Sequence, residues 1–135
     1  MAGSALDLTG RRIVITGATG GIGRATAARL TAAGADLVLV ARTADRLQAL
    51  AGELGATAVP GDAGDPDDVE ALRDRVEADG PVHALVNAAG TFDLAPVAET
   101  APEMFDRMIH GNLRAPFLAT RAFLPGMLER GEGHV

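Results

Sequence analysis

The segment from Arg11 to Leu30, RRIVITGATGGIGRATAARL, limits what this chain can fold into more than any other part of it. Ile13, Val14 and Ile15 form a short apolar run that reads as a buried strand, and Gly17 to Gly21 places three glycines ahead of a helical pattern. The order is strand, tight turn, helix. Glycine lets backbone turn sharply and approach a ligand closely, while the free N–H groups and positive dipole end of a helix start attract an anion. A phosphate is the expected guest of Thr16, Gly17, Thr19, Gly20, Gly21, Ile22 and Gly23. A nucleotide-triphosphatase loop is excluded, because it ends in GK[ST] and the chain contains no lysine.

These residues fit the pattern TGxxxGIG, and on them the chain resembles the short-chain dehydrogenase/reductase family. Gly20 also permits the TGxxGxxG spacing of that family's epimerase-like branch, so the glycines alone leave both branches open. The resemblance implies an α/β fold, a Rossmann-type doubly wound parallel sheet with strand order 3-2-1-4 in the part present and later strands missing. It also implies a nicotinamide coenzyme, and hydride transfer between a carbonyl and an alcohol.

Downstream residues extend this reading. The helix after Gly23 ends at Gly34, and Asp36 to Ala41 is an apolar run without polar alternation, as expected of a parallel strand covered on both faces. Arg42 follows at once. In dinucleotide folds an acid about 20 positions past the glycines binds the adenosine ribose, whereas an arginine there accommodates a 2′-phosphate. A guanidinium can bind that phosphate through forked, charge-assisted hydrogen bonds, so NADP(H) is favoured over NAD(H). The plain alternative is a solvated arginine heading the next helix.

Thr43 can cap that helix, whose Leu47, Leu50, Ala51 and Leu54 fall on one face before Gly55 stops it. Ala56 to Val59 reads as a third strand. Asp65 with Pro66 opens another helix, to about Asp79, which leaves Asp62 without a local capping duty. By the resemblance, Asp62 binds the adenine amino group, helped by the backbone N–H of Ala63. Val82 to Val86 reads as a fourth strand, and Asn87, Ala88, Ala89 and Gly90 match the family's NNAG with one departure at Ala88. NAAG tips the choice away from the epimerase-like branch. With strand order 3-2-1-4, both glycine-rich segments would line the crevice at the topological switch point.

From Pro102 onward a long helix is expected, carrying Phe105, Met108, Ile109, Leu113, Phe117, Phe123 and Leu124 as core or subunit interface. The resemblance assigns Asn112 to the catalytic set, in the context NxxxPF. Pro116 has no N–H to bond the carbonyl of Asn112, and that freed carbonyl could hold a water. His83, His110 and His134 lack the spacing of a metal site and receive no role; no metal is expected.

The closing GEGHV reads as the turn into a fifth strand, and with that strand missing the fourth is expected to be an uncovered edge. The family's catalytic Ser and YxxxK would lie beyond it, and this chain contains neither Tyr nor Lys. Residues 1–135 are thus expected to be one NADP(H)-binding domain, truncated ahead of those groups and inactive alone. The alternative is a non-catalytic NADP(H)-binding or regulatory partner. A net charge of −6 disfavours nucleic acid and anionic membrane as partners, and the absence of Cys removes thiolate chemistry. No leader or membrane span is visible, so the cytoplasm is the expected location, with a small carbonyl or alcohol as substrate and a homo-oligomer once the fold is completed.

Overall fold

A computed structural model describes residues 6–135. Part of the stretch inspected for a leader, residues 1–5, lies outside the described residues. Four parallel strands form one sheet in the order β3-β2-β1-β4, with β1 Arg12–Thr16, β2 Asp36–Ala41, β3 Thr57–Pro60 and β4 Ala84–Asn87. The connecting helices are α1 Gly21–Ala32, α2 Ala44–Leu54 and α3 Pro66–Ala78, and after β4 come α4 Pro102–Ile109 and α5 Ala115–Arg130. The expected order 3-2-1-4 is the observed one.

Successive strand residues point to opposite faces of a sheet, and here both faces are apolar. Ile13, Ile15, Leu37 and Leu39 pack with Ala27, Leu47, Leu50 and Ala51, which belong to α1 and α2. Val14, Val38, Val40 and Leu85 pack with Leu72, Val76, Ala119, Phe123 and Met127, which belong to α3 and α5. This double covering is why the strands read as unbroken apolar runs. Asp65 caps α3 by accepting the N–H groups of Asp67 and Asp68 at 2.9 and 3.1 Å. Thr43 precedes α2 as expected but makes no side-chain cap bond.

Three details differ from the sequence reading. β3 runs one residue later than expected and β4 begins two residues later, since Val82 and His83 approach the sheet before regular pairing starts. His134 meets the edge of β4 by an isolated parallel bridge to Ala84, so the start of that edge is paired rather than bare. The long helix is not uniform: His110–Arg114 forms a π-turn in which the N–H of Ala115 bonds the carbonyl of His110. Pro116 cannot donate to the carbonyl four residues back, and the wider turn absorbs the mismatch. The apolar stripe divides as well. Phe123 is 1% exposed, whereas Phe105, Leu113 and Phe117 are about 60% exposed, at 59%, 62% and 61%.

Candidate functional site

The register of the sheet sets the site. Thr16 lies beside Val40 on one side and Asn87 on the other, and Ala41 lies beside Pro60, so all four strands end at one edge. The residues that follow them, Gly17, Arg42, Gly61 and Ala88, emerge together. A cleft of about 690 Å³ opens there. Gly17, Thr19, Gly20, Arg42, Asp62, Ala63, Ala88, Ala89 and Gly90 line it, together with Thr43, Arg46, Thr91, Arg107 and His110.

The loop after β1 and the loop after β4 meet backbone to backbone. Gly17 has φ +67, and a Cβ built on it would overlap the backbone of Ala88 and Ala89. Only glycine combines that conformation with that closeness. The N–H of Ala88 donates to the carbonyl of Thr16 at 3.2 Å, which fixes the second loop against the first. A Cβ on Gly23 would overlap the carbonyl of Gly17, so Gly23 is a packing residue that seats α1 on its own loop. Gly21 and Ile22 form the first turn of α1, with Ile22 exposed. That turn has no side-chain cap and no acid, which leaves its N–H groups and dipole available to an anion.

Thr16 and Asn87 stand behind the cleft surface. Thr16 is 1% exposed within β1. Asn87 donates from Nδ2 to Thr120 Oγ1 at 3.2 Å, tying β4 to α5, and its Oδ1 is buried without a partner. Asn112, in the middle of the π-turn, sits against Gly90 and clamps the next residue. Its Oδ1 accepts the N–H of Thr91 at 3.2 Å, and its Nδ2 donates to the carbonyls of Thr91 at 2.8 Å and Met108 at 3.0 Å.

Asp62 occupies the floor at the β3 end. Its Oδ1 accepts the N–H of Gly64 at 2.9 Å, and its Oδ2 lies 3.0 Å from His110 Nε2. Partial burial pushes its carboxyl up, but the Gly64 N–H, His110 and the positive charge of Arg42 together outweigh this and hold it below its ordinary value. Sequence reasoning gave His110 no role, and the structure corrects that: it is a cleft residue paired with Asp62. Arg46, in the first turn of α2, also lines the cleft and was missed; Arg42 precedes the helix, so no helical spacing linked the two. His83 is structural, its Nδ1 accepting the N–H of Arg12 at 3.0 Å. Among the described residues no group of three or more His, Asp or Glu gathers as a metal site, and no helix is long and apolar enough to cross a membrane.

A sequence model described as short chain dehydrogenase matches residues 11–135. The chain belongs to the short-chain dehydrogenase family. It is 39% identical to a short chain dehydrogenase of Pseudocercospora fijiensis, over 96% of this chain and 44% of that protein. It is 41% identical to the L-xylulose reductase of Homo sapiens, over 93% of this chain and 51% of that one. A metagenomic short-chain oxidoreductase crystallised in complex with NADP superposes with a TM-score of 0.87 at 36% identity, covering 94% of this chain and 60% of that one. The chain thus spans about half the length of the curated relatives it matches. The cleft brings together groups that suit a phosphate-bearing ligand with a donating base: an uncapped helix start, closely approaching glycine loops, two arginines and an acceptor carboxylate.

Proposed function

We propose that this chain is the coenzyme-binding half of an NADP(H)-dependent short-chain reductase that interconverts a carbonyl and an alcohol. Thr19, Gly20 and the first turn of α1 would hold the pyrophosphate, and Ala88, Ala89 and Gly90 would pass close beside the coenzyme. Asp62 and Ala63 would take the adenine. When bound, the coenzyme supplies or accepts the hydride. The chain's own part is to grip both of its ends, to shield the face beneath it and, through Asn112, to fix the loop at Thr91. With no Tyr or Lys in these residues, the proton donor that the family resemblance implies is not among them.

The observation that carries this reading is the convergence of the loops after β1 and β4 on one cleft, at the point where strand order reverses. The preference for NADP(H) rests on Arg42 and Arg46, which put two cations at the end of β2 where an NAD(H) site would carry an acid. Charge-assisted hydrogen bonds contribute about 1.5–3 kcal/mol each, so NADPH should bind at least tenfold tighter than NADH. Fluorescence titration with both nucleotides tests it. Arg42→Ala with Arg46→Ala should remove the difference, and equal affinities in the unaltered chain would remove the argument.

A further inference from the structure

The π-turn at His110–Arg114 is wedged between two of the cleft's loops. Its central residue, Asn112, clamps Thr91 after β4. Its two ends turn the other way: His110 reaches Asp62, and Arg114 Nε donates to the carbonyl of Gly64 at 3.0 Å. Residues four apart share a helix face and residues two apart do not, so this division follows from spacing. The loop after β3 is shaped to admit the imidazole. A Cβ on Gly64 would overlap the His110 ring, although the backbone conformation there is open to other residues.

We propose that His110 is a positioning residue for purine recognition, fixing the Asp62 carboxylate so that it reads an exocyclic amine and rejects a carbonyl oxygen. The inference rests on the dinucleotide reading of the cleft and adds to it how one end of that ligand is told from its analogues. An ionised carboxylate only accepts hydrogen bonds, and it has about four lone-pair sites. One site on Oδ1 is filled by the Gly64 N–H and one on Oδ2 by His110, which must carry its proton on Nε2 to donate there. Two anchors on different oxygens fix the plane of the carboxylate. The remaining acceptor sites are then held still, and they suit a ligand edge that donates. Adenine presents an amine at that edge, and hypoxanthine presents a carbonyl oxygen that a fixed carboxylate repels. Without His110 the side chain keeps only the Gly64 anchor and can rotate away from a mismatched base, so the penalty for the mismatch falls.

The test is a titration of the chain with NADPH and with its hypoxanthine analogue, in wild type, His110→Phe, His110→Gln and Gly64→Ala. Wild type should prefer NADPH by about tenfold or more, the scale of one hydrogen bond to a charged group. In His110→Phe, which keeps ring bulk without a donor, the preference should fall below about threefold. His110→Gln carries an amide N–H at a similar reach and should restore most of it. Gly64→Ala leaves the imidazole in the sequence but displaces it, and should behave like His110→Phe; it decides the matter should that variant not fold. A wild-type preference retained in both His110→Phe and Gly64→Ala overturns the role of His110. Equal wild-type binding of the two nucleotides overturns purine reading by Asp62 and leaves the dinucleotide site standing, whereas binding of neither overturns both.

Discussion

Replacing Gly17 by alanine should destabilise the protein for two separable reasons. An alanine at φ +67 is forced into the left-handed region, which costs roughly 1–2 kcal/mol for an L-residue. Its Cβ would also overlap the backbone of Ala88 and Ala89. Those neighbours are main chain, with the N–H of Ala88 already bonded to Thr16, and not the end of a side chain that can swing aside, so relief requires the two loops to part. Overpacking of that kind costs about 1–3 kcal/mol. The sum, about 2–5 kcal/mol, is a large fraction of the 5–15 kcal/mol that holds a typical domain folded. Gly21→Ala is the control: it meets nothing within 4 Å and its φ is not positive. Helix propensity favours alanine there by up to about 1 kcal/mol. Urea unfolding followed by circular dichroism reads both variants. Gly17→Ala as stable as wild type, or Gly21→Ala as damaged as Gly17→Ala, would refute the claim that the loops after β1 and β4 touch through that glycine.

Other expectations are narrower. Asp65→Ala should cost about 1 kcal/mol in urea unfolding, because two N–H groups at the start of α3 lose their acceptor. Phe123→Ala should cost about 3–5 kcal/mol, whereas Phe117→Ala, six residues earlier on the same helix and mostly exposed, should stay within about 0.5 kcal/mol of wild type. Asp62 has a folded-state pKa below its ordinary 3.8, so its contribution to stability is fully present above that value and is lost as pH falls through the lower folded one. Asp62→Asn should therefore be less stable than wild type at pH 6, with the gap closing only below pH 3.8; a gap that closes between pH 5 and 7 would contradict the depressed pKa.

The parts of this architecture fixed by local pattern were legible in the sequence, and those fixed by distant partners were not. Asp36–Ala41 has the expected bounds because an apolar run buried on both faces has a sharp beginning at Asp36 and a sharp end at Arg42. Asp65, Pro66, Asp67 and Asp68 announce the start of α3 by capping chemistry alone. Pro116 announced a freed carbonyl at Asn112, but not the π-turn that carries Asn112 to Thr91 and Arg114 to Gly64. His110 was invisible for the same reason: its partner Asp62 is 48 residues away, and no periodicity links them. Gly64 was the available hint, a glycine with an ordinary φ whose missing side chain is explained only by the ring beside it. The apolar residues of α4 and α5 showed a stripe without showing that part of it would stay exposed.

The central claim is that one dinucleotide is held jointly by the loop after β1 and the loop after β4. Backbone amide NMR of the chain titrated with NADPH tests it most directly. Gly17, Thr19, Gly20, Gly21, Ala88, Ala89 and Gly90 should shift together with a single saturation curve, with Arg42 and Asp62 following the same curve. Shifts confined to one loop, or to the groove between α3 and α5 around Arg73 and Arg121, would contradict it.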